Sequence, residues 1–239
     1  MSDHEHKLQA FPAFFKVAGK RVVIVGDGEE ALAKARLLGQ TQARIRIISK
    51  SASNALRSCS NSDGHELIEG PVSEKFLAGA ALIFAATGDQ SEDRRVVSLA
   101  RALGIPANAV DQPDQCDFYT PAIVNRAPVT VAIGTEGAGP VLAQMIRARI
   151  DRMLPVHLGR VARLAQTYRH AAEVLLEKGI SRRAFWKNFF TGSPARHAEA
   201  GDLSQARRAA TQLLRAGGID QGHVSLVGAG PGAEDLLTL

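Results

Sequence analysis

The sequence predicts an α/β chain: a parallel sheet, then a small mixed segment, then a helical region. Three observations predict it. Between residues 21 and 111, short apolar runs alternate with helix-patterned stretches, the order that right-handed crossovers turn into a parallel sheet. Two glycines, Gly26 and Gly28, interrupt the chain directly after the first apolar run and before the first helical one. From residue 157 the strand pattern gives way to apolar residues stepping by three and four.

Each element follows from its residues. RVVIV (21–25) is a run of β-branched residues without alternation, a strand buried on both faces. Residues 29–39 place Ala31, Leu32, Ala35 and Leu38 on one helix face, with Gly39 at the expected C-cap. ARIRII (43–48) is a second strand, 54–58 a short helix, HELIE (65–69) a third strand and ALIFAA (81–86) a fourth. A helix over 91–103 has Ser91 as its expected N-cap and acids in its first turn. PANAVD (106–111) is a fifth strand. Residues 118–120, 122–125 and 129–133 read as short strands, and a helix follows over about 141–154. In 157–178, Val161, Leu164, Tyr168, Ala171 and Leu175 form a narrow apolar stripe that Gly179 ends. Ser181 is expected to cap the next helix, Ser193-Pro194 to open another, and a last helix to span 203–215. Such stripes suit packing against a partner helix. Residues 222–239 begin a new strand and a new turn, GAGPG, and read as the opening of a further domain.

Bulk properties restrict the function classes. A hydrophobic fraction of 45% over 239 residues allows a sizeable core. No apolar run is long enough to span a bilayer, and the N-terminus lacks a secretory layout, so a cytoplasmic, membrane-free protein is expected. The cysteines, Cys59 and Cys116, are too few for a disulfide framework, and neither they nor the histidines show metal-ligand spacing. His157 is a lone histidine at a helix start. The net charge is +5, but residues 144–216 hold fourteen Lys/Arg against five Asp/Glu, a local +9. That half suits an acidic partner or a set of solvated helix faces. It lacks the interleaved aromatics of a nucleic-acid platform, so no nucleic-acid partner is expected.

Three constellations carry chemistry. Gly26-Asp27-Gly28-Glu29-Glu30-Ala31 is a G-x-G-x-x-A between a strand and a helix, the pattern of a Rossmann-like dinucleotide turn, with a merely structural tight turn as the alternative. Gly26 permits the bend, Gly28 admits a pyrophosphate to the backbone, and Ala31 keeps helix and strand close. The acid expected about twenty residues later is missing. Ser49, Lys50 and Ser51 stand there, and Lys50 suits a 2′-phosphate, so spacing leaves NAD and NADP both open. Asp111 lies at the carboxyl end of the fifth strand, where a carboxylate can accept a proton from a substrate losing hydride, or merely cap a loop. Gly134–Pro140 (GTEGAGP) precedes a helix, as an anion site or a hinge.

Assembled in order, FPAFFKVAGKRVVIVGDGEEALAKARLL, Ala85-Ala86-Thr87, ANAVD, FYTPAIVNRAPVTVAIGT, GPVLAQMIRARID and LPVHLGRVARLA resemble the N-terminal part of the siroheme synthases. Residues 222–239 resemble the start of the methyltransferase domain that follows in the three-function members. The resemblance implies a Rossmann domain over 1–113, a central mixed segment over 114–150, a helical dimerisation domain over 151–218 and an incomplete methyltransferase start over 222–239. It implies a homodimer that oxidises the tetrapyrrole precorrin-2 to sirohydrochlorin with NAD and then inserts Fe2+, itself a substrate. Asp111 is the implied catalytic residue for both steps. Gly26, Gly28, Glu29, Glu30, Ala31, Lys50, Ser51 and Thr87 are the implied NAD contacts. Family members often carry a serine where this chain has Gly134-Thr135-Glu136-Gly137. Thr135 is therefore the candidate anion or phosphorylation site, with Glu136 opposing it. Alternatives are a dehydrogenase without chelatase activity and a non-catalytic NAD-binding scaffold.

Overall fold

The computed structural model describes residues 7–218. The GAGPG segment lies outside them. The chain divides into two compact units: one runs up to Ala122 and includes Ala132–Arg147, and the other comprises Ile123–Val131 and the chain from Ala148. The segment expected over 114–150 is thus shared between them.

The first unit contains five parallel strands: β1 (Arg21–Val25), β2 (Arg44–Ser49), β3 (Glu66–Glu69), β4 (Leu82–Ala85) and β5 (Ala107–Ala109). Their order is β3-β2-β1-β4-β5. The chain builds outward from β1 to β3 and then crosses back to β4, so the topological switch lies between β1 and β4. Side chains alternate across the sheet. Val22, Ile24, Ile45, Ile47, Leu82 and Phe84 bury one face beneath α1 (Glu29–Leu38) and α2 (Asn54–Asp63). Val23, Val25, Ile48, Ile83 and Ala85 bury the other beneath α3 (Glu74–Leu77) and α4 (Gln90–Ala102).

Several local expectations need correction. α2 runs to Asp63 rather than stopping near residue 58, because the Ser53 side chain accepts from Leu56 N at its start and Gly64 turns left-handed at its end. α3 was not foreseen. Asp89, not Ser91, caps α4, its carboxylate accepting from the backbone amides of Ser91 and Glu92. Residues 118–120 form no strand; Asn108 Nδ2 donates to Phe118 O at 2.8 Å and holds the chain as a loop.

A hairpin of β6 (Ala122–Arg126) and β7 (Val129–Ile133) follows, then α5 (Pro140–Met153). The second unit is mostly helical: α6 (Leu158–Leu175), α7 (Ile180–Thr191), α8 (Ser193–Ala200) and α9 (Leu203–Arg215). Its core joins Val161, Leu164, Phe185, Phe189 and Leu213 with a series of alanines. Gly179, not Ser181, stands at the α7 N-cap, and Gly192 precedes α8. Leu175, expected to end the buried stripe, is 67% exposed, and Ala172 takes the buried position instead. No helix among the described residues is long and apolar enough to cross a membrane.

Candidate active site

The two glycines after β1 do different things. Gly26 N donates to Ile48 O at 2.9 Å. A Cβ on Gly26 would sit 1.9 Å from Ala86 O and 3.0 Å from the Ala31 methyl. Glycine is required there because β4 ends against it and α1 packs close. Gly28 has nothing within 4 Å of its would-be Cβ. α1 begins at Glu29 without a side-chain cap, so the amides of Glu29, Glu30 and Ala31 remain available to an anion. Ala31 is fully buried, as a close helix–strand contact requires.

A cleft of about 100 Å³ opens at the carboxyl edge of the sheet, lined by Gly26, Asp27, Lys50, Thr87, Asp89 and Glu92 over a floor of Val25, Ile48, Gly70 and Val72. It brings together three of the expected residues, Gly26, Lys50 and Thr87. Gly28, Glu29, Glu30, Ala31, Ser51 and Asp111 are not among its walls. Asp27, the variable residue between the glycines, organises the rim. Its carboxylate accepts from the Ser49 hydroxyl and from Ser51 N, the latter at 3.2 Å. Ser49 and Ser51 are thereby engaged within the protein. Lys50 Nζ pairs with Glu92 at 3.1 Å. Hydrogen bonding from Arg95, supplemented by Lys50, holds the Glu92 carboxyl down to about 2. Hydrogen bonds from Ser91 hold Asp89 below the usual carboxylate range. The walls therefore carry three acids and one lysine. Thr87 is held by a buried carboxylate: Asp93 Oδ1 accepts from Thr87 N at 3.0 Å and from its hydroxyl at 2.8 Å.

Asp111 follows β5 in the left-handed region, at φ 57. For a residue other than glycine this is an uncommon backbone state that aspartate and asparagine tolerate best. The turn is tied down around it. The buried Gln112 donates Nε2 to Asp93 Oδ2 at 3.3 Å, so one carboxylate braces both Thr87 and the residue beside Asp111. Asp117 Oδ2 accepts from Ala107 N at 2.9 Å and Phe118 packs edge-on against Phe84, which closes the loop over the sheet. Lys34, on α1, lies over the Phe84 ring at 5.7 Å. Burial lowers its pKa, while Asp111 opposes that shift through its charge. Sequence reasoning passed over Asp27, Lys34 and Asp93. Asp27 was the x of a glycine motif, Asp93 read only as a first-turn acid, and Lys34 was not singled out at all.

The turn after β7 is built differently from an anion cradle. Glu136 (φ 50) and Gly137 (φ 82) are the central residues of a turn closed by Ala138 N to Thr135 O at 2.8 Å, the pattern of a type I′ turn. The Glu136 carboxylate accepts from Gln9 N at 2.7 Å and Ala10 N at 3.0 Å, clasping the N-terminal segment. Thr135 is half-buried beside it. His157 stands at the N-cap of α6, but its side chain makes no capping bond.

Known proteins match the chain in three consecutive regions. Residues 13–122 match a family described as putative NAD(P)-binding, 126–153 the sirohaem biosynthesis protein central region, and 157–214 the sirohaem synthase dimerisation region. The chain thus resembles the N-terminal half of the siroheme synthases along nearly its whole length. It is 42% identical over 230 residues to the siroheme synthase of Pseudomonas aeruginosa (strain UCBPP-PA14), covering 95% of this chain and 49% of that protein. With the siroheme synthase of Stutzerimonas stutzeri (strain A1501) it is 40% identical over 233 residues, covering 97% and 50%. The chain thus spans about half the length of the curated relatives it matches. Among solved structures, that of SirC, a precorrin-2 dehydrogenase, superposes with a TM-score of 0.70 over 87% of this chain and all of that one, at 17% identity, a likeness of fold.

Proposed function

We propose that this chain oxidises precorrin-2 to sirohydrochlorin with NAD and then inserts Fe2+ to give siroheme. The observation that carries the cofactor half is the open space over Gly28, beside the uncapped start of α1 and at the switch between β1 and β4. A dinucleotide pyrophosphate needs that combination of bare backbone and free amides. Gly26, Gly28 and the amides of Glu29, Glu30 and Ala31 would hold it, with Lys50, Ser51 and Thr87 along the rim. When bound, NAD supplies the hydride acceptor. NAD is favoured over NADP because Asp27, Asp89 and Glu92 outnumber Lys50 around the cleft and would repel a 2′-phosphate.

The oxidation removes one hydride and one proton from the ring. Asp111 takes the proton on its carboxylate, and its left-handed turn, braced by Asp93 through Gln112, holds that carboxylate ready. In the second step the same group, having released its first proton to solvent, accepts the two pyrrole protons in turn and passes them to water as Fe2+ enters. The positive helical half raises the local concentration of a carboxylate-rich macrocycle. The match to a dimerisation region, together with the exposed Val174, Leu175 and Ile180, supports a homodimer. Anaerobic incubation with precorrin-2 and NAD, followed spectroscopically, tests this reading. Sirohydrochlorin should appear with NADH in equal amounts, and siroheme should appear when iron(II) is added. No oxidation of the ring would overturn it; oxidation without iron insertion would leave a dehydrogenase alone.

A further inference from the structure

α2 ends in a side-chain cluster that the reaction does not use. Cys59 and Asp63 are four residues apart and share a helix face. Gly64, in the left-handed conformation at φ 68, reverses the chain and returns His65 beside them. The donor atoms of Cys59, Asp63 and His65 all lie within 4.8 Å of one another. Cys59 Sγ is 3.5 Å from Asp63 Oδ2, and His65 Nε2 is 3.7 Å from the same oxygen. The His65 side chain is only 8% exposed, and its Nε2 is buried with no hydrogen-bond partner among the described residues. A buried imidazole nitrogen in that condition asks for a ligand.

The geometry points to a binding site for one divalent transition-metal ion of the zinc class, held by Cys59 Sγ, Asp63 Oδ2 and His65 Nε2 at the amino edge of the sheet. Zinc bonds of about 2.0–2.3 Å arranged tetrahedrally separate their donors by about 3.3–3.7 Å, and the two separations to Asp63 Oδ2, 3.5 and 3.7 Å, already have that size. The donors are preorganised. His65 N donates to Ser60 O at 2.9 Å, and the Ser60 hydroxyl donates to His65 O at 2.8 Å, which fixes the residue from both sides. The Ser62 hydroxyl lies 3.2 Å from Asp63 Oδ1, leaving Oδ2 turned to the cluster. A thiolate and a carboxylate cancel the charge of the dication, the imidazole stays neutral, and water completes the fourth position. Without metal, burial and the hydrogen bond to Asp63 push the Cys59 thiol up, so binding releases the thiol proton to solvent. A sulfur–nitrogen–oxygen set favours zinc or cobalt over magnesium or calcium. His65 precedes β3 while Gly26 follows β1, and the strands are parallel, so this site lies at the opposite edge from the Gly26 turn. The sequence reading saw no ligand spacing here because the three donors meet only through a helical turn and a left-handed glycine.

The test uses the full chain stripped of metal. Equilibrium dialysis against zinc should leave one equivalent per chain. Cobalt(II) should give tetrahedral d–d bands and a thiolate-to-cobalt charge-transfer band. Cys59→Ser and His65→Gln should each weaken zinc binding at least about a hundredfold, since changes one shell further out already cost 10–100-fold. NAD titration of the same variants should match wild type, which separates this site from the cofactor site: loss of NAD binding in every sample would count against the proposed function and leave the metal result standing. Absence of zinc from the wild type, absence of the charge-transfer band, or unchanged affinity in both variants would overturn the proposal. The cobalt spectrum of the wild type decides the matter even if a variant fails to fold.

Discussion

The division of labour between Gly26 and Gly28 can be separated by two single substitutions. In Gly26→Ala the new methyl would meet Ala86 O at 1.9 Å and Ala86 C at 2.6 Å. Both are backbone atoms at the end of a buried strand, so neither can turn aside. Such overpacking costs about 3 kcal/mol or more. For a chain of this size that lowers Tm by about 6–12 °C. In Gly28→Asp the new Cβ enters open space at φ −111, a value any residue adopts. Stability should stay within about 0.5 kcal/mol of wild type, as for surface changes. The added carboxylate would meet the dinucleotide pyrophosphate at close range, where like charges cost about 1 kcal/mol in water and about 4 kcal/mol near a protein surface. NAD affinity should fall roughly thirtyfold or more, at 1.4 kcal/mol per tenfold. Thermal melts and calorimetric NAD titrations of both variants are the assay. A Gly26→Ala protein that melts with wild type, or a Gly28→Asp protein that binds NAD normally, would refute the reasoning.

Three further outcomes are expected. Glu92 titrates at about 2 in the folded chain against an ordinary 4.5, so its contribution is complete above about pH 4.5 and is lost as pH falls towards 2. Allowing for solvent around Lys50 and Arg95, that is about 1–2 kcal/mol; Glu92→Gln should remove this part of the acid sensitivity in urea titrations and, by freeing Lys50, raise NADP binding relative to NAD. Asp93→Asn leaves a buried network short of a charge-assisted acceptor for Thr87 and Gln112, costing about 1–3 kcal/mol, and kcat should fall further than NAD affinity because the turn carrying Asp111 loosens. Raising ionic strength from 0.01 M to 1 M shortens screening from about 30 Å to 3 Å; KM for the tetrapyrrole should rise with salt while kcat changes little, and a flat salt profile would remove the role given to the basic helices.

The strands were legible because their apolar runs are short, β-branched and punctuated by glycine. β1 and β2 fall almost where the residues place them. The second half of α2 was not legible, because SCSNSD combines weak helix formers without an apolar stripe; Ser53 and Gly64 hold it from its ends. Cap assignment failed where two polar candidates stood two residues apart, at Asp89 and Ser91, and only geometry chose between them. The residues 118–120 have strand-like composition, yet one side-chain bond from Asn108 claims the carbonyl of Phe118 and keeps them a loop. The site divides the same way. Gly26, Gly28 and Asp111 are candidates that a motif and a strand end announce, whereas the partners of Asp27, Lys34 and Asp93 follow from no local pattern.

The central claim is that the Asp111 carboxylate removes the proton when precorrin-2 is oxidised. Asp111→Asn is the cleanest variant, because asparagine also accepts the left-handed backbone at this position but cannot act as the base. Single-turnover formation of NADH from precorrin-2, measured anaerobically at saturating NAD, is the decisive measurement. The account predicts wild-type NAD affinity with a rate lower by about 10²–10⁴. NADH formed by the asparagine variant at the wild-type rate would contradict it.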